Sequence, residues 1–179
     1  MAYAPNTEGA AAVPAGEVAL LRVGHDDPRV SGLLAGLRRE YTERYGAAGA
    51  ARELALYPLS EFAAPHGCLV LAELGGEVVA GGAVRPYVAE RAAEAGTAEI
   101  KRVWTSPRHR RRGLARTVMA ALEGAARALG YTRVLLYTGP AQPEALALYE
   151  RIGYRRLGPG EAGALPHPTA IPFGRDLAP

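Results

Sequence analysis

Arg110, Arg111, Arg112, Gly113, Leu114 and Ala115 follow one another where a basic turn runs into small residues at the start of a helical pattern. Backbone N–H groups at a helix start have no intrahelical partner and carry partial positive charge, so such a turn binds anions. Gly113 permits close approach and Ala115 adds little bulk, while the neighbouring arginines reinforce the same field; the segment is built like a pyrophosphate cradle. Neither a Walker lysine nor its motif is present. The run at Arg108 and Arg110 to Arg112 also suits a solvated helix approach or a nucleic-acid contact. One short cluster without an aromatic platform makes nucleic acid the weaker reading.

Other chemistries find less support. Cys68 is the only cysteine, which excludes an intramolecular disulfide framework and a multi-Cys zinc site, and it opens an apolar stretch as a small buried residue would. His25, His66, His109 and His167 are scattered without metal-ligand spacing, so no metal is expected. Asp26 and Asp27 are explained by helix capping, and no G-x-S-x-G elbow points to a serine hydrolase.

The chain that must position these residues has 179 of them, 49% hydrophobic, enough for the core of one domain, with a net charge of +3. Residues 1–16 are rich in Ala, Pro and Gly and read as a mobile tail, leaving 17–179 as the domain. No basic start with an apolar run and no membrane-length apolar stretch occurs, so a soluble, cytoplasmic protein without a membrane partner is expected.

Val18, Leu20 and Val23 predict a first strand. Asp26, Asp27 and Pro28 supply capping chemistry for a helix from about Pro28 to Tyr45, with Leu33, Leu34, Leu37 and Tyr41 on its packed side. A short helix near Ser60 precedes a hairpin: Leu69 to Leu71, a Gly75-Gly76 turn, then Val78, Val79 and Val84. Residues 86–97 read as a surface loop bordering a substrate site. A strand from Ala98 to Thr105 then leads through the basic turn to a helix with Leu114, Val118, Leu122, Ala125 and Leu129 on one face. Val134 to Tyr137 is a further strand, Pro143 to Arg151 a short helix stopped at Gly153, and the Pro-rich end leaves room for short edge strands near 154–157 and 170–173. This order of strands and helices implies a mixed α/β fold.

Two blocks carry a family resemblance. Arg110 to Ala115 resembles the Q/R-x-x-G-x-G/A motif of the GNAT acetyltransferases, and Glu99 to Pro107 looks like the strand that leads into it. Gln142-Pro143-Glu144-Ala145-Leu146-Ala147-Leu148-Tyr149-Glu150-Arg151-Ile152-Gly153-Tyr154 is similar to the N-x-x-A-x-x-L-Y-E-x-x-G-F/Y block of that family, with Gln142 in place of Asn. The resemblance implies a single domain with a mixed, mostly antiparallel sheet splayed at an acyl-CoA site and flanked by helices. It implies acetyl-CoA as donor and a small-molecule or peptide amine as acceptor, and it makes a homodimer plausible.

By the same resemblance, the backbone of Val103 and Thr105 holds the pantetheine arm beside a bulge near Trp104. The loop from Arg110 to Ala115, with Arg116, holds the pyrophosphate, and Gln142 belongs to the same cofactor-binding set. Attack on a thioester requires a neutral amine, whereas a free alkyl ammonium has a pKa near 10.4, so a base is needed, and Glu99 is the candidate, directly or through water. The leaving thiolate needs an acid, and Tyr149 matches the family's acid position. A backbone N–H at Val103 or Trp104 is the expected donor to the developing oxyanion. The residues alone also admit Tyr149 as a core aromatic and Glu99 as a strand residue paired with Lys101 or Arg102. A non-catalytic acyl-CoA sensor that keeps the cradle is the rival function.

Overall fold

The computed structural model describes residues 17–178 apart from 90, 91, 159 and 164. The elements run β1 (Ala19–Val23), α1 (Val30–Ala55), a 3-10 turn (Leu59–Phe62), β2 (Cys68–Leu74), β3 (Glu77–Ala89) and β4 (Ala92–Thr105). A second 3-10 turn (Pro107–His109), α2 (Leu114–Ala128), β5 (Arg133–Thr138), α3 (Pro143–Arg151), β6 (Arg155–Arg156) and β7 (Ile171–Asp176) follow. The sheet order is β1-β2-β3-β4-β5-β7-β6, antiparallel throughout except for the parallel pair β4–β5. The expected mixed, mostly antiparallel α/β architecture is present.

Alternation along the strands sends side chains to two layers. On one face Val70, Val84, Ile100, Val134, Leu136 and Phe173 pack with Val118, Met119 and Leu122 of α2 and Tyr149 of α3. On the other face Leu69, Leu71, Ala83 and Trp104 pack with Leu33 and Leu37 of α1 and with Phe62. Close approach of α1 depends on Gly36, where a Cβ would overlap the Trp104 ring.

Several boundaries differ from the sequence reading. Gly46 does break the first helix after Tyr45, at φ 73° and ψ 169°, but the Ala-rich stretch beyond it re-enters helix as far as Ala55. The Asp27 carboxylate accepts from the Arg29 backbone N–H (2.9 Å) and side chain, while the residue flanking the helix, Arg29, makes no side-chain cap. Residues 86–97 are not a loop: β3 and β4 pair from Pro86↔Ala98 to Ala89↔Ala92, and Tyr87 is buried. Pro86 hid this because proline argues against a strand interior; it sits beside a register shift at Pro86/Val88, where a missing donor is tolerated. β7 is not an edge either, since it lies between β5 and β6. The Pro172 carbonyl accepts from the Leu157 N–H, so the N–H that Pro172 lacks would have pointed to the β6 side, where only two residues pair. The tail expected over residues 1–16 lies outside the described residues.

Candidate functional site

β4 carries a bulge. Its pairing with β3 steps from Ala83↔Lys101 to Gly81↔Trp104, and the extra residue, Arg102, takes φ 59°. Bulges bend their strand and strengthen its twist. On its other side β4 pairs with β5 only at Thr97↔Arg133, Ala98↔Val134 and Glu99↔Leu135, so the two strands part beyond Glu99. The bulge expected near Trp104 is thus adjacent to it.

A cleft of about 530 Å³ occupies this gap, within the range of small-molecule sites. β4 lines it with Val103, Trp104 and Thr105; the turn and start of α2 with Arg110, Arg111, Gly113, Leu114, Ala115 and Arg116; and the α3 side with Gln142, Tyr149 and their neighbours. Arg111 and Gly113 both have positive φ, 62° and 79°, and both line the cleft. The first bond of α2 runs from the Thr117 N–H to the Gly113 carbonyl, so helix geometry leaves the N–H groups of Leu114, Ala115 and Arg116 without intrahelical partners at the cleft. The Thr105 Oγ1 beside them is buried and unpaired.

The arginines divide. Arg110 donates to Glu40 (3.1 Å), Arg108 pairs with Glu77 away from the cleft, and Arg112 is exposed and does not line it. The Arg112 side chain is thus outside the cleft lining, while its backbone belongs to the turn between Arg111 and Gly113.

Tyr149 is 6% exposed, with its ring against Tyr154 and Phe173, and it lines the cleft. Burial pushes its phenol above the usual tyrosine range, and the nearby Tyr41 phenol adds to the shift. Gln142 flanks α3; its amide accepts from the Thr138 hydroxyl and donates to the Tyr45 hydroxyl, both at 3.0 Å, tying β5 to α1.

Glu99 is elsewhere. It is 1% exposed on the α1 face, does not line the cleft, and accepts from Arg85 Nε and Lys101 Nζ at 2.9 Å each. The pairing with Lys101 that the residues admitted is formed.

The sequence reading missed the contribution of α1. Glu40 and Tyr41 line the cleft, and Glu40 with Arg44 and Glu144 forms an ion-pair chain from α1 to α3. The i,i+4 spacing of Glu40 and Arg44 was visible, but such pairs occur on most exposed helices and do not announce a site. Cys68 is buried, and burial raises its thiol, as suits an inert core residue. Among the described residues no cluster of His, Cys, Asp and Glu has metal-binding geometry, and no helix is long and apolar enough to cross a membrane.

Residues 33–154 match the model of the Acetyltransferase (GNAT) family. The chain is 36% identical over 93 residues to N-acetyltransferase family 8 member 2 of Rattus norvegicus, covering 52% of this chain and 41% of that protein. It is 33% identical over 104 residues to an IAA acetyltransferase of Azospirillum brasilense, covering 58% and 65%. The chain thus spans less than two thirds of the length of these relatives. The fold is shared with an acetyltransferase of Streptococcus agalactiae (TM-score 0.72, 17% identity, 89% of this chain and 98% of that one). It is shared as well with the PaiA N-acetyltransferase of Thermoplasma acidophilum, solved with coenzyme A (TM-score 0.62, 10% identity, 89% and 99%). With a family model matched over more than half its length, at the segment that builds the cleft, the chain belongs to the GNAT acetyltransferase family.

Proposed function

We propose that residues 17–179 form one acyltransferase domain, acting in the cytoplasm, that moves an acetyl group from acetyl-CoA to a primary amine within a ternary complex. The observation that carries this reading is the α2 start, whose free N–H groups open into the same cleft as the diverging β4 strand and the Tyr149 phenol. The residues fit the donor: N–H groups and arginines suit a pyrophosphate, an extended strand edge suits the amides of a pantetheine arm, and the orphan Thr105 hydroxyl lies on that wall.

The thioester, when bound, supplies the activated acyl group. Tyr149, held protonated by burial, gives its proton to the departing thiolate. Glu99 accepts the amine proton through an intervening water, since it lies outside the cleft; the water meets Oε1, which bonds Lys101 alone, Oε2 being taken by Arg85 Nε and Nη2. The Val103 or Trp104 N–H steadies the developing oxyanion.

Calorimetric titration with acetyl-CoA tests the cradle. Gly113→Glu sets a carboxylate at the anion site and a side chain at φ 79°, and should abolish saturable binding that the parent shows. No binding by folded parent protein would overturn the reading. Tyr149→Phe should keep acetyl-CoA affinity and lower turnover by about 100-fold; unchanged turnover with chemistry rate-limiting would remove Tyr149 as the acid.

A further inference from the structure

Beneath the end of α1, strands β3 and β4 bring three cations together on one face: Arg85, Lys101 and Arg102. Tyr57 joins them, its ring 3.9 Å from Lys101 Nζ and 4.4 Å from Arg85 Cζ, its carbonyl accepting from Arg102. Two carboxylates answer the first two cations: Glu99 takes Arg85 and Lys101, and Glu61 takes Arg85. The group is left with one uncompensated positive charge, on Arg102.

Arg102 is the bulge residue itself. It is 9% exposed and forms no salt bridge among the described residues; Nη2 donates to the Leu54 (3.2 Å) and Tyr57 carbonyls, and the Phe62 ring lies 5.0 Å from Cζ. Its Nη1 has no partner, and neither has Trp104 Nε1 two residues on. Burial lowers the guanidinium below its ordinary value, the direction expected of a charge without a counter-ion. Burying a cation without an anion is costly, and both orphan atoms can only donate. What is missing is an oxygen anion.

Arg102 immediately precedes Val103 and Trp104, which line the cleft, and the Tyr41 phenol close to it lines the cleft from α1. We infer that the acceptor amine carries a carboxylate close to its nitrogen, as an amino acid does, and that Arg102 receives that carboxylate on the α1 side of the diverging strands. This rests on the acyl-transfer reading above. Nη1 is covered, so the chain segment that carries the Leu54 and Tyr57 carbonyls must give way for the carboxylate to reach it. A polyamine, an aminoglycoside or a basic peptide would instead add positive charge to a group that already holds an excess.

The test pairs each of the common amino acids with its decarboxylated amine, spermidine serving as a polycation, and follows thiol release from acetyl-CoA. Acetyl-CoA binding is measured first, by calorimetry. At least one amino acid should exceed its decarboxylated partner in kcat/KM by about tenfold or more, as expected when a buried donor is left unmatched. Arg102→Met should erase that difference by raising KM for the amino acid, with acetyl-CoA affinity retained, and Arg102→Lys should restore part of it. Equal or better use of the decarboxylated amines, preference for spermidine, or no transfer to any amino acid by protein that binds acetyl-CoA overturns the inference and leaves the donor reading standing. Failure to bind acetyl-CoA overturns both. The comparison within the parent protein decides the matter even if Arg102→Met does not fold.

Discussion

The two faces of the sheet solve burial differently. Under α2 and α3 the layer is apolar, with one buried carboxylate, Glu123, that accepts from the Tyr154 hydroxyl (3.1 Å) and Arg175 (3.2 Å). Under α1 the apolar packing around Leu33, Leu37 and Phe62 stops at the middle of β3 and β4, where Arg85, Glu99 and Arg102 are buried instead. Fully burying an apolar side chain contributes about 1.5–3 kcal/mol, whereas replacing a buried ion pair by well-packed apolar residues is often neutral or stabilising by about 1–4 kcal/mol. Stability alone therefore favours the α2 arrangement on both faces. The charges under α1 are retained at a stability cost, next to the strands that part to form the cleft.

The harshest way to break this contrast is to remove one partner of the charged group. Glu99→Leu strips Lys101 of its carboxylate and leaves Arg85 with Glu61 alone, and should cost about 3–5 kcal/mol in urea unfolding. Leu122→Ala on the opposite face opens an apolar cavity and should cost about 2–5 kcal/mol, with no charge left unanswered. Adding Lys101→Met to Glu99→Leu should recover part of the first loss, and no comparable partner exists for Leu122. If Glu99→Leu shifts the urea midpoint less than Leu122→Ala, the charged group is well solvated and the faces are more alike than their burial indicates.

Gly36→Ala probes where the two kinds of packing meet. The added methyl would overlap the Trp104 ring, so either α1 lifts or the ring moves, at about 1–3 kcal/mol. Trp104 is the only tryptophan of the chain and lines the cleft, so its fluorescence should change with the substitution and respond less to acetyl-CoA.

The faces also differ in how far the sequence disclosed them. The α2 side was legible because its signals are local: a 3.6-residue period through Leu114, Val118 and Leu122, a basic turn at a helix start, and a Pro143 to Arg151 helix whose ends the structure reproduces. From the α1 side only local features were visible. Nothing in a linear pattern brings Glu61, Arg85 and Glu99 together, since that meeting depends on the antiparallel register Arg85↔Glu99 and on the chain returning after Gly46. Pro86 pointed away from the strand that supplies the register, so residues 86–97 read as a loop. Nor does adjacency in sequence tell which side of a turn at positive φ a side chain such as that of Arg112 takes.

A milder test returns to the apolar face. Tyr154→Phe removes one hydrogen bond to Glu123 and keeps the ring against Tyr149, and should cost about 0.5–1.5 kcal/mol. Arg175 still answers the carboxylate, so no unpaired charge results. A loss as large as that of Glu99→Leu would mean that a polar group is as consequential under α2 as under α1.

The smallest expected effect is none, and it concerns Tyr149 within that apolar layer. Burial raises its folded pKa above the ordinary value of about 10, so the neutral phenol is the favoured form. With the folded value above the unfolded one, the associated stability is fully present below about pH 10 and is lost only as pH rises beyond it. Turnover should accordingly rise with pH as the acceptor amine loses its proton, and show no falling limb from Tyr149 below about pH 10. Tyr149→Phe should lower the whole profile without changing its shape over that range. A falling limb near neutral pH that disappears in Tyr149→Phe would mean that the phenol is stabilised as an anion, which an apolar wall cannot do. The division of the two faces into one dry and one charged would then fail at the residue on which the acid role depends.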